Sequence, residues 1–190
     1  MNALADDKVA EIINDSFTAT YLKVGTFKIV GGAKVGGNVA SYFCEPDGTV
    51  IHAIAGKVDA ATLIREARYA LDLHKSALTN ATDLASGKVN LMKQKAFVRK
   101  AHTDRYFDEI TGVRGGAPAV GAARLRAMPG AVAGGVPRML PAGLPAGVAQ
   151  QAQTEWLLAT QPLAKMDAIY PIVWQNILRE KLSTLPVAKR

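Results

Sequence analysis

Side chains able to carry chemistry are few: three histidines and one cysteine in 190 residues. His52 falls in a β-prone run, while His74 and His102 fall in two separate helical patterns. No pair has the HxxxH-type spacing that sets two imidazoles on one helix face, so the spacing assigns no metal ligand. Ser41, Asp47 and His52 supply the residue types of a nucleophilic triad, but no Gly-x-Ser-x-Gly turn presents the serine. Cys44 can neither close an intrachain disulfide nor build a structural zinc site, and it reads as a buried thiol. The loop "GGAKVGG" around Lys34 has neither the Walker nor the dinucleotide spacing, and a strand follows it, so it reads as a connection. No catalytic residue, cofactor site or metal site is expected.

Two segments are better suited to binding than to catalysis. The arm "KVNLMKQKAFVRKAHTDRYFDEI" carries Lys93, Lys95, Arg99, Lys100 and Arg105, which are the candidate polyanion contacts. On a helix these cations spread around much of the cylinder, and Phe97, Tyr106 and Phe107 can stack on bases or pack on a core equally well. Near the C-terminus, Trp156, Met166, Tyr170, Val173, Trp174 and Ile177 are the candidate interaction residues. From Met166 onward they form an apolar stripe that must be covered by this chain, a second copy or a partner. Pro162 divides the segment into two helices, and Pro171 kinks the second or marks its true start.

Composition divides the chain at the same places. Residues 1–87 hold 8 basic and 10 acidic residues, residues 88–140 hold 10 and 3, and residues 141–190 hold 5 and 3. The net charge of +7 is therefore concentrated in the middle, which points to one cationic segment and not to a chain-wide polyanion binder. Residues 112–147 contain 9 Gly, 5 Pro and 9 Ala, a composition that opposes helix and strand and reads as a flexible linker. Trypsin is expected to cut there first, at Arg114, Arg124, Arg126 or Arg138. Four units follow: an α/β domain over 1–80, a basic helical arm over 81–111, a linker over 112–148 and a C-terminal helical segment over 149–190. No apolar run spans a membrane and no signal peptide is recognised, so a cytoplasmic location is expected for the chain as given, with Met1 as its true start left open.

The elements that must position these residues begin with a helix capped by Asp6 or Asp7, with Val9, Ile12, Ile13 and Phe17 at helical spacing. "FTATYLKV" is a predicted strand, and Gly31 to Gly37 a loop. The run "VASYFCEPDGTVIHAIAG" places Pro46-Asp47-Gly48 between two β-prone stretches, which predicts a hairpin pairing 39–45 with 49–55. Asp59 then caps a helix over 59–78 whose inner stripe is Leu63, Ala67, Ala70 or Leu71, and His74 or Leu78.

Between Gly37 and Leu71 this order resembles the C-terminal part of a thioredoxin-like domain, with Gly37, Pro46-Asp47-Gly48 and Gly56 at the matching positions. With the upstream helix and strand the resemblance covers about 70 residues. It implies a partial thioredoxin-like α/β fold followed by C-terminal helices. The family's first strand and Cys-x-x-Cys motif have no counterpart here, and its cis-proline falls on Val39, which is expected to be trans. No disulfide-exchange role is therefore implied. The leading expectation is a non-catalytic scaffold or protein-interaction domain, whose partner or second copy docks on the C-terminal helices. On that view a chain ending near Ala149 loses partner capture while the hairpin domain stays folded. The alternatives are a fragment of a thioredoxin-family oxidoreductase whose Cys pair lies upstream, and a nucleic-acid-binding accessory protein acting through the basic arm.

Overall fold

In the computed structural model, residues 3–21, 28–35, 38–112, 139–180 and 182 are described. Among the described residues the architecture is mixed α/β: five α-helices and two separate two-stranded antiparallel sheets. Helix α1 (Asp7–Ser16) opens on Asp6, whose carboxylate accepts from the Lys8 and Val9 amides. Residues 17–21 form no strand, and 22–24 lie outside the described residues. Where a loop is expected around Gly31 and Gly32 stands the turn of a small hairpin, β1 (Lys28–Val30) with β2 (Ala33–Val35). Gly31 and Gly32 turn it, with φ of 59° and 80°, the left-handed pair that a tight two-residue hairpin turn requires.

The second hairpin forms where the sequence predicts it. Strand β3 (Ala40–Cys44) pairs with β4 (Val50–Ala55), with a register shift between Phe43 and Cys44. Gly48 takes φ 82° in the turn, and its N–H donates to the Glu45 carbonyl at 3.0 Å. The Lys165 ammonium closes over this turn onto the Asp47 carboxylate and the Thr49 hydroxyl. No cis peptide occurs among the described residues, so Val39 is trans.

Helix α2 (Ala60–Ala81) begins at Asp59, which accepts from the Thr62 amide at 2.7 Å, and runs three residues past the predicted end. Its buried face is Leu63, Glu66, Ala67, Tyr69, Ala70, Leu73, Ala77 and Ala81. His74 and Leu78, expected inside, are only half-buried, because the stripe drifts one position along so long a helix. A short loop closed by Thr82 opposite Val89 leads to α3 (Leu91–Ile110), capped by Asn90. Helices α4 (Gln150–Thr160) and α5 (Met166–Ile172) follow, and α5 continues into a π-helical turn over Val173–Ile177. Pro171 lies inside α5. It cannot donate to the carbonyl four residues back, and the backbone widens just beyond it, where the Leu178 N–H reaches the Val173 carbonyl.

Strand β4 is buried along its whole length. Ile54 packs against α1 and α2 with Val9, Leu63 and Ala67. Val50, Ala53 and Ala55 pack against Leu157, Leu158, Ile169, Val173 and Trp174. Among the described residues its edge away from β3 has no strand partner. Side chains satisfy it instead: His102 takes the Ile51 carbonyl at 2.9 Å, and Gln151 takes the Ala53 carbonyl at 3.1 Å and the Ala55 amide at 3.4 Å. The C-terminal helices are thus part of the core built on the hairpin and not a detached appendage. Of the expected linker, residues 113–138 lie outside the described residues, including Arg114, Arg124, Arg126 and Arg138. Residues 139–149 run along α4, where the Pro141 and Pro145 carbonyls accept from Trp156 and Gln153. Among the described residues no helix is long and apolar enough to cross a membrane.

Candidate functional site

Four elements converge on a buried polar cluster. β4 supplies His52, α2 supplies Glu66 and Tyr69, α3 supplies His102 and Arg105, and α4 supplies Gln151 and Glu155. His52, His102 and Glu155 have no exposed surface, and Glu66 is 2% exposed. Each sits on the inner face of its element, at a position where the surrounding pattern calls for an apolar residue.

The hydrogen bonds run in one chain. His52 Nε2 lies 2.9 Å from Glu66 Oε2, and the Arg105 guanidinium bridges Glu66 Oε2 and Glu155 Oε1. Glu155 Oε2 lies 2.7 Å from His102 Nδ1, and Gln151 donates to Glu155 Oε1 at 3.1 Å. Rings close the cluster. The two imidazoles lie 5.7 Å apart and nearly parallel, the Tyr69 ring meets His52 edge-on, and Arg105 stacks 3.8 Å over Tyr69.

Charge and hydrogen bonding set the protonation pattern. Burial pushes the Glu66 carboxyl up, but the His52 hydrogen bond and the Arg105 charge outweigh it and hold it below the usual value. Burial likewise works against the Glu155 carboxylate, and Arg105 and His102 overcome it. Both acids are therefore ionised at neutral pH. Burial lowers the His52 imidazole despite Glu66, so the ring is neutral, with its proton on Nε2 facing the carboxylate. His52 Nδ1 then carries a lone pair, and it has no hydrogen-bond partner among the described residues. His102 lies between two acceptors, with the Ile51 carbonyl 2.9 Å from Nε2 and Glu155 Oε2 2.7 Å from Nδ1.

The residues expected from sequence are distributed differently. Arg105 is removed from the polyanion set, because its head group is buried between two carboxylates. Lys93, Arg99 and Lys100 are exposed and Lys95 half-buried, with Lys100 paired to Asp104 at 2.8 Å. The interaction reading is corrected for Val173, Trp174 and Ile177, which are 0%, 4% and 2% exposed inside the hairpin core. Met166, Tyr170 and Trp156 are half-buried against the same core. His52 is paired to Glu66 and not to Asp47, so the triad drawn from Ser41, Asp47 and His52 does not assemble. His74, half-exposed, meets Glu45 at 3.2 Å. Comparison with family models, curated proteins and solved structures finds no match for this chain.

Cys44 is half-buried, and burial, with Asp47 nearby, pushes its thiol up to about 11. At pH 8 the thiolate is then on the order of one part in a thousand. Alkylation by iodoacetamide is expected to be far slower than for a free thiol at pH 8 and to accelerate about tenfold per pH unit up to pH 11. Rapid labelling at pH 7 would show an activated cysteine.

Proposed function

We propose that the chain is a non-catalytic interaction domain that docks an apolar, acid-rimmed protein surface through the end of the α2–α3 pair. The observation that carries this reading is the tip itself. Leu84, Val89, Leu91 and Met92 are 100%, 48%, 55% and 76% exposed within nine residues of chain. The loop is held in shape: Asp83 accepts from the Ala85 and Ser86 amides, and its own N–H donates to the Lys88 carbonyl. Lys88 and Lys93 flank the apolar side chains, and both are exposed. A preformed apolar knob with cations beside it loses little conformational entropy on docking and favours a partner of opposite charge. Residues 82–93 contain no aromatic side chain to stack on bases or to anchor at a lipid interface, which favours protein over nucleic acid or membrane. The rigid body behind the tip is read as a thioredoxin-like hairpin-and-helix unit without redox residues. That reading draws support from the turn at Gly48 and from Gly56, whose φ of 93° makes the sharp entry toward α2.

A photo-crosslinking amino acid at position 84 tests the proposal in cells. A discrete protein adduct is expected, lost when Leu91 and Met92 are both changed to Ser and retained with the same label when Ile110→Ser is made instead. Adducts to nucleic acid or lipid, or a protein adduct indifferent to Leu91 and Met92, would overturn it.

A further inference from the structure

We infer that His52, His102 and Glu155 form a binding site for a divalent cation of zinc type. The inference is independent of the tip, and it rests on how the two imidazoles are held. A metal-bound histidine commonly donates its second N–H to a carboxylate or a backbone carbonyl, which fixes the tautomer and aims the lone pair. Both arrangements are present here: His52 Nε2 donates to Glu66, and His102 Nε2 donates to the Ile51 carbonyl. The nitrogen left over on His52 is fully buried and has no hydrogen-bond partner among the described residues, while that of His102 faces Glu155.

One ligand atom from each of His52, His102 and Glu155 lies within 4.8 Å of the other two. A tetrahedral ion with bonds of about 2.0–2.1 Å holds its ligand atoms roughly 3.3 Å apart. The His102 and Glu155 ligand atoms, 2.7 Å apart, would open by about 0.6 Å, and a pair at the 4.8 Å limit would close by about 1.5 Å. Rotations of side chains cover such shifts. Two imidazoles and one carboxylate suit zinc and not magnesium or calcium, which prefer all-oxygen shells. Three protein ligands leave a fourth position for a water or an added ligand. On binding, the ion takes the place of the hydrogen bond between His102 and Glu155. Arg105, with 11% of its side chain exposed, is where the cluster meets solvent and marks the way in.

The full, untagged chain is stripped with a chelator and titrated with Zn2+ by calorimetry and with Co2+ by visible absorption. One equivalent of Zn2+ is expected to bind and to raise the melting temperature, with Mg2+ inert, and Co2+ should give the intense spectrum of a tetrahedral site. His52→Gln and Glu155→Gln should weaken binding at least about a hundredfold, and Glu66→Gln, which only orients His52, about tenfold to a hundredfold. Cys44→Ser and His74→Gln should bind as the parent does. Absence of zinc binding by the parent chain, a six-coordinate cobalt spectrum, or loss of binding in Cys44→Ser or His74→Gln would overturn the assignment. The cobalt spectrum of the parent chain decides the matter even if His52→Gln or Glu155→Gln fails to fold.

Discussion

A chain ending at Ala149 is expected to lose its cooperative fold, hairpin included. The truncation removes Leu157, Leu158, Ile169, Val173, Trp174 and Ile177, each 4% exposed or less and packed on β4 or on one another. At about 1.5–3 kcal/mol for each fully buried side chain, the loss is on the order of 10 kcal/mol, comparable with the whole stability of an ordinary domain. The polar cost adds to it. Without Gln151 the edge of β4 loses its partners at Ala53 and Ala55, and without Glu155 the buried His102 and Arg105 lose a shared carboxylate. Circular dichroism with a thermal melt checks this. The expected result is a broad transition with little amplitude. A sharp melt in the truncated chain would show that the hairpin and α2 stand alone, as the sequence suggests when read without its tertiary contacts.

Arg105→Ala is expected to be the most damaging single substitution, at about 3–5 kcal/mol in urea denaturation, because it strips the shared cation from two buried carboxylates. Arg105→Lys should recover only part of this. A lysine is a point charge on a flexible stem and cannot reproduce the fork that bridges Glu66 and Glu155. The loss also has a pH signature. With Arg105 present, Glu66 and Glu155 ionise below their ordinary value, so each contributes stability that is present above the unfolded carboxyl pKa of about 4.3 and lost as pH falls through the lowered folded value. Without Arg105 both folded values rise, and that acid-range dependence shrinks. The gap between the parent and Arg105→Ala should therefore be widest near neutral pH and narrow below about pH 4. A deficit constant from pH 7 to pH 3 would mean that the lost packing on Tyr69 matters and the charge does not.

Local rules made part of this protein legible. Pro46-Asp47-Gly48 between two β-prone runs specifies a turn whatever surrounds it, and the β3–β4 hairpin forms there. Asp59 caps α2, because an acid before an amphipathic run satisfies the first helical amides from within the same few residues. Of the strand expected at 17–24, residues 17–21 form none, and 22–24 lie outside the described residues. A run of Thr, Tyr, Phe and Val favours strand only if a neighbouring edge accepts it. The open edge of β4 is instead taken by His102 and Gln151.

The candidate site could not be read from spacing in the sequence. His52 and His102 are 50 residues apart, and Glu155 is 53 further on, so no spacing rule joins them. One signal was present: Glu66 and Glu155 each interrupt an apolar helix face, and a charge at a core position implies a buried partner. The sequence could not name that partner, because hydrogen bonding across elements depends on which faces meet. The same holds for Arg105 and for the C-terminal stripe. Composition and periodicity determined that the middle of the chain is basic and that Val173, Trp174 and Ile177 need cover. Only the packing of α3 and α4 against β4 decided that Arg105 turns inward between two acids and that the cover is the chain's own hairpin, because burial depends on contacts between elements far apart in sequence.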